Sequence, residues 1–219
     1  DESRCLAELN EKHMEFVFFS ADTNQNKENK EKAREYVMQL LNSAENECLI
    51  CDPYFKKEDF EKYIFFMEKL DVKVRIINRE KKLGNISAPD SEDYLLKLND
   101  CINYYNRKVG REVAECRSLT KNLSIHDRFI IIDDCGWLIG SSLNEFGNRA
   151  SSICKIPQGS LEYMRKNFER WWNDTENSES LDGYIQRKVK LNASPEGKLL
   201  KHITHLTRVL NSLKSQLAK

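Results

Sequence analysis

The stretch IHDRFIIIDDCGWLIGSSLN, residues 125–144, holds the side chains of this chain best suited to chemistry. A strand repeats every two residues, so His126 and Arg128 share one face, with Ile130 and Ile132 deeper on it. Asp133 and Asp134 end that strand, and a second strand, residues 137–140, runs into the turn Ser141-Ser142-Leu143-Asn144. If the two strands pair as a hairpin, the turn returns to His126. An imidazole, a guanidinium, two hydroxyls and a carboxamide then surround one small volume. That set suits phosphoryl chemistry. A neutral imidazole, with an ordinary pKa of about 6.5, can attack phosphorus and carry the phosphoryl group. The guanidinium neutralises non-bridging oxygens, and Ser and Asn donors hold the charge that builds in the transition state. No step requires a metal or another cofactor. The Asp133-Asp134 pair reads as a turn signal before it reads as a Mg²⁺ site.

Strands and helices must alternate to carry this hairpin. Residues 15–22 predict a first strand and residues 24–32 a polar connection. Ala33, Tyr36, Val37, Leu40, Leu41 and Ala44 follow at helical spacing. CLICDPYF is a buried strand stopped at Asp52-Pro53, since Pro53 cannot extend a ladder. Residues 57–70 predict an amphipathic helix and residues 72–78 a strand. SAPDSEDYLLKLNDCINYY starts a longer helix with Tyr94, Leu95, Leu98, Ile102 and Tyr105 inward, and REVAECRSL is a fourth strand. After the hairpin, ASSICKI is a short strand and LEYMRKNFERWWND a helix with Leu161, Met164 and Phe168 inward. The pattern predicts an α/β fold, a mixed β-sheet flanked by helices.

Composition narrows the function classes. The chain has 219 residues, and its 35 basic and 35 acidic side chains cancel. That length fits one domain, or one domain with an appendage. The 40% apolar content excludes wholesale disorder. No apolar run is long enough to span a membrane, and no signal peptide is visible, so a cytoplasmic protein is expected. The chain does not open on Met, which suggests a processed piece of something longer. The 7 Cys are expected to be reduced, and Cys48-x-x-Cys51 lacks a second ligand pair for zinc. His202 and His205, at i, i+3, read as exposed helix residues rather than metal ligands. Residues 183–219 hold 8 basic side chains against Glu196 alone, leaving −7 on residues 1–182. A basic tail on an acidic body can bind polyanions or pack on its own domain. Its stripe Leu199, Ile203, Leu206, Val209, Leu210, Leu213 and Leu217 suits docking on the body or on a second chain.

The spacing His126-x-Arg128-x4-Asp133, with Gly140-Ser141 following, resembles the H-x-K-x4-D and G-S-x-N signature of the phospholipase D superfamily. The resemblance covers roughly residues 15–175. It implies an α/β/α sandwich, with residues 1–180 as a phosphodiesterase domain and 181–219 as a basic helical extension. It also implies catalytic roles for His126, Arg128 and Asp133, with Asp133 as an orienter of the site, and phosphate contacts from Ser141, Ser142 and Asn144. In that superfamily two motifs build one site, one His forming the phosphohistidine and the other protonating the leaving oxygen. One motif stands here, so the resemblance implies a homodimer, most simply a nuclease of DNA with a defence role. Arg128 stands where the family usually has Lys, and it keeps the charge. Leu143 occupies the expected Asn position, with Asn144 one residue later. Where single-motif members carry a Glu that orients the His, this chain has Ser151 and Ser152, leaving Glu145 and Asp133 as candidates. I-H-D-R after D-P-Y also resembles the phospholipase D-like domain that accompanies a microtubule-interacting-and-trafficking domain and binds membranes. The alternative reading is therefore a non-catalytic module for phosphate, anionic lipid or nucleic acid.

Overall fold

The computed structural model describes residues 16–20, 26–79, 94–119 and 125–196, with residues 198, 199, 202, 203, 206 and 209–211 beyond them. Cys5, His13 and His205 lie outside the described residues.

Eight strands form one mixed sheet in the order β1-β7-β6-β5-β2-β3-β4-β8. They are β1 (Phe16–Phe19), β2 (Glu47–Cys51), β3 (Lys73–Arg79), β4 (Ala114–Leu119), β5 (Phe129–Ile132), β6 (Cys135–Ile139), β7 (Ser151–Lys155) and β8 (Ser178–Ser180). The helices are α1 (Asn26–Asn42), α2 (Lys57–Tyr63), α3 (Tyr94–Val109), α4 (Gln158–Asn173) and α5 (Leu181–Ala193). β2, β3 and β4 run parallel, and every other pairing is antiparallel. The α/β fold is as the sequence predicts.

Strand parity divides the core. Cys48 and Ile50 of β2 face a cluster with Val37 and Leu41 of α1, Phe60 of α2 and Leu98 of α3. Leu49 and Cys51 face the opposite cluster, covered by Leu161, Phe168 and Trp172 of α4. The C-x-x-C therefore straddles the sheet, and its two sulfurs serve separate cores. Burial pushes both thiols far up from their ordinary value. The main core continues past residue 180: Leu181 and Tyr184 of α5 are buried, and Asp182 accepts from Asn99 Nδ2 at 2.8 Å.

Three segments differ from expectation. The supposed polar connection starts α1, because Lys and Glu are good helix formers and Glu28–Lys32 adds an i, i+4 pair. The helix expected through residue 70 ends at Tyr63 and tightens to a 3₁₀ turn, Ile64–Phe66. Phe65 there lodges edge-on against Phe60 and Tyr105, and Met67 leaves in extended conformation with its side chain buried. β8 was not expected, since its residues, SES, carry no apolar alternation.

Asp59 of α2 is buried, and it accepts the Lys56 N–H at 2.9 Å. Burial pushes its carboxyl up to about 7 against that hydrogen bond, and the nearby Asp52 carboxylate adds to the rise. An unfolded Asp titrates near 3.9, so the fold holds an extra proton between about 4 and 7. Stability from this group is full below that window and is lost as pH rises through it. Asp59→Asn should remove the decline, worth about 1.4 kcal/mol per pKa unit. Urea midpoints at pH 5 and pH 8 measure it: wild type should drop between them by more than the variant does.

Candidate phosphate-binding active site

The Asp133-Asp134 pair makes a two-residue hairpin turn, since Ile132 pairs with Cys135 across it. Asp133 takes the left-handed conformation such turns require, with φ 45°. The turn sets the β5–β6 register, pairing Phe129 with Leu138. The ladder continues past β5, where Ile139 N–H donates to the Arg128 carbonyl at 2.9 Å. Carried two residues further, that register sets His126 opposite Ser141. The same extension of the β2–β5 pairing, which ends at Cys51 opposite Phe129, sets Arg128 opposite Asp52. β5 is antiparallel to β2, so His126 lies at the C-terminal end of the parallel strands, where open α/β sheets bind ligands.

His126 is exposed, between buried Ile125 and half-buried Arg128. The Arg128 guanidinium lies over the Tyr54 ring, 5.3 Å from its centroid. Its Nε is buried and has no hydrogen-bond partner among the described residues. The same holds for Asn144 Oδ1 in the turn after β6. Ser141 is half-buried, and its Oγ accepts from Ser151 Oγ at 2.8 Å across the β6–β7 ladder.

Two predicted site residues are placed differently from expectation. Asp133 lies at the opposite end of β5 from His126, roughly 20 Å away at strand rise. Its carboxylate accepts the N–H groups of Glu45, Asn46 and Glu47 at 2.7, 2.9 and 3.0 Å. Burial raises the Asp133 carboxyl, but these three donors outweigh it and hold the group below its ordinary range. Asp133 thus secures the start of β2 and is too remote to orient the imidazole. Ser142 is buried, and its hydroxyl donates to both Asp52 oxygens at 2.9 and 2.7 Å, which leaves its proton committed to the protein. Leu143 fills the core, while Asn144 is half-buried and Glu145 exposed.

Asp52 is the residue sequence reasoning missed. It is 1% exposed, and besides Ser142 it accepts the N–H groups of Leu143 at 2.8 Å and Tyr54 at 2.9 Å. One carboxylate thus fixes the Gly140-Ser141-Ser142 turn against the end of β2. The signal was present: an acid closing the apolar run Cys48–Cys51, buried on both faces, has no solvent beside it. Below it, buried Asn78 donates to the Phe55 carbonyl and accepts from Tyr94 Oη at 3.1 Å, which ties this loop to β3. Gly147 closes the turn against α1. Its φ is +80°, and an added Cβ would meet Ala33 Cβ at 2.7 Å, so no larger residue fits.

The arrangement offers an exposed imidazole, a partly buried cation with an unspent donor, and a hydroxyl held by its neighbour. Together these can accept an anion and attack it.

Among solved structures, the fold is similar to Nuc, a phospholipase D family member from Salmonella typhimurium. The TM-score is 0.51 at 16% identity, covering 77% of this chain and 97% of Nuc. It is also similar to phosphatidylserine synthase from Haemophilus influenzae Rd KW20, with TM-score 0.53, 16% identity and 90% of this chain covered. A weaker likeness, TM-score 0.47 at 17% identity over 81% of this chain, is to TrmBL2, an archaeal chromatin protein. The chain spans 46% of the synthase and 58% of TrmBL2. A comparison with curated proteins gives no match. The sequence itself matches the family described as cardiolipin synthase, PLD-like domain, over residues 37–172, which is more than half of the chain. With that match, the hairpin motif and the sheet in agreement, the chain belongs to the phospholipase D-like family.

Proposed function

We propose that this protein is a metal-independent phosphodiesterase acting on nucleic acid, with two chains sharing one site. His126 of one chain attacks phosphorus and displaces the leaving oxygen. His126 of the second chain, protonated, gives its proton to that oxygen. Water then hydrolyses the phosphohistidine. Arg128 binds the non-bridging oxygens, and Ser141 and Asn144 contact the phosphate beside it. Ser142 acts indirectly, by holding the turn on Asp52. The basic side chains of residues 183–219 contact backbone phosphates without reading bases.

The observation that carries this reading is the partnerless Arg128 Nε, buried two residues from an exposed imidazole. A buried donor without an acceptor is costly, and an anion bound there removes the cost. A covalent trap tests it. The protein is incubated with an end-labelled oligonucleotide in EDTA, quenched and digested. An acid-labile phosphoryl adduct on the His126 peptide is expected. Cleavage that requires added divalent metal, or cleavage without the adduct, overturns the mechanism.

A second reading, phosphate binding without turnover, is favoured by Ser151. It stands across from Ser141 and donates a hydroxyl there, where a carboxylate would fix the imidazole tautomer. Oligonucleotide binding that depends on Arg128, with no cleavage, would select it.

A further inference from the structure

The chain leaves β2 through a tight turn, Asp52–Phe55, and that turn presents one ring to the surface. Phe55 N–H donates to the Asp52 carbonyl at 3.0 Å, with Pro53 and Tyr54 as the two central residues. Pro53 suits the first central position, its φ being fixed near the value the commonest turns need there. The Tyr54 N–H donates to Asp52 Oδ1 at 2.9 Å, so a buried carboxylate clamps the turn from within. Pro53 and Phe55 are buried, while Tyr54 between them is 42% exposed. The same carboxylate takes the Ser142 hydroxyl and the Leu143 N–H, so Tyr54 and the turn bearing Ser141 hang from one group. An exposed tyrosine by itself needs no explanation. This one stands on a rigid turn, with the Arg128 guanidinium 5.3 Å from its ring centroid. The Arg128 Nε is buried and has no hydrogen-bond partner among the described residues.

We propose that the Tyr54 ring is a stacking platform for the base of the nucleotide whose phosphate Arg128 binds. Tyr54 is then a specificity residue, separating nucleic acid from other phosphodiesters. The proposal rests on the phosphate site described above and adds what that site recognises beside the phosphate. The surroundings of the ring point to a base. Tyr54 is held through its backbone, so stacking on it orders little that is not already ordered. The ring stands one guanidinium away from the bound phosphate, a gap that the sugar of a nucleotide bridges. A quaternary ammonium headgroup, the other ligand that aromatic rings take, would meet the Arg128 charge already placed over the ring. A neutral base meets no such repulsion, and every base has a flat face to offer. In a duplex both faces of a base are covered by its neighbours, so the nucleotide on Tyr54 is an unpaired one. The ring reads no hydrogen-bonding edge, so it selects a class of ligand and not a sequence.

Calorimetric titration of the full chain with phosphate monoesters, which offer no diester to cleave, tests this. The probes are deoxyadenosine 5′-monophosphate, deoxyadenosine 3′-monophosphate, 2-deoxyribose 5-phosphate and phosphocholine. The tighter of the two nucleotides should bind wild type about 10-fold more strongly than the sugar phosphate, the scale of base–aromatic stacking. Tyr54→Leu should abolish that preference. Tyr54→Phe should keep it, since the ring face and not the hydroxyl makes the contact. A preference that survives Tyr54→Leu while both affinities fall overturns the proposal, because Tyr54 would then only support Arg128. Phosphocholine that binds more tightly than the sugar phosphate, and does so through Tyr54, overturns it in favour of a lipid headgroup. Wild type that binds nucleotide and sugar phosphate equally overturns it as well, and leaves the phosphate site standing. Wild type that binds none of the four probes removes the phosphate site itself, and this proposal with it.

Discussion

His126→Ala should lower phosphodiester cleavage by about 10⁴-fold or more, because nucleophile and general acid are lost together and proton transfer alone contributes about 10²–10⁴. Folding should be unaffected, since the side chain is exposed and the buried neighbours Ile125 and Phe129 remain. A mixture sharpens the result. When wild-type and variant chains are co-expressed and exchange freely, a site built from two His126 residues loses activity as the square of the wild-type fraction. A site complete within one chain loses it linearly. Initial rates across a series of mixing ratios separate the two, and a linear series removes the shared site. Arg128→Lys should retain part of the activity, because the charge survives while the planar donor set is lost.

Asp52→Ala should destabilise the fold by about 3–5 kcal/mol, since each buried donor left without its acceptor costs about 1–3 kcal/mol. The variant strands three donors at once: Ser142 Oγ, Leu143 N and Tyr54 N. Asp52→Asn keeps the volume and one acceptor oxygen, so its loss should be smaller. The paired variant Asp52→Ala with Ser142→Ala removes one of the stranded hydroxyls and should recover part of the difference. Urea midpoints measure all three. The effect on catalysis should exceed what unfolding explains, since the turn bearing Ser141 loses its anchor. If Asp52→Ala proves as stable as wild type, the carboxylate does not hold the turn.

The hairpin was legible because its cues are local. Period-2 alternation, a two-Asp turn and a Gly-Ser corner fix which residues face each other before any tertiary contact is known. The sheet's central strands were legible for the same reason, being short apolar runs between breakers. Asp133 was misplaced because a motif gives separation along the chain and not the strand's length in space. An extended β5 carries it to the far edge, where backbone donors of β2 take it up. Ser142 was misread because a hydroxyl's partner depends on a residue far away in sequence. Asp52 itself passed as a strand terminator beside Pro53, and the cue of the buried apolar run before it went unused because a terminator is ordinarily exposed. β8 stayed hidden because an edge strand of three polar residues is held by its neighbour, Arg117↔Ser180 and Leu119↔Ser178, and not by its own pattern.

The bond between Ser142 and Asp52 spans 90 residues. Closing a loop of that length comes late in folding, after the local hairpin and helices have formed. The Gly140-Ser141-Ser142 corner is therefore as secure as the long-range sheet that brings Asp52 to it, and not as its own hairpin alone.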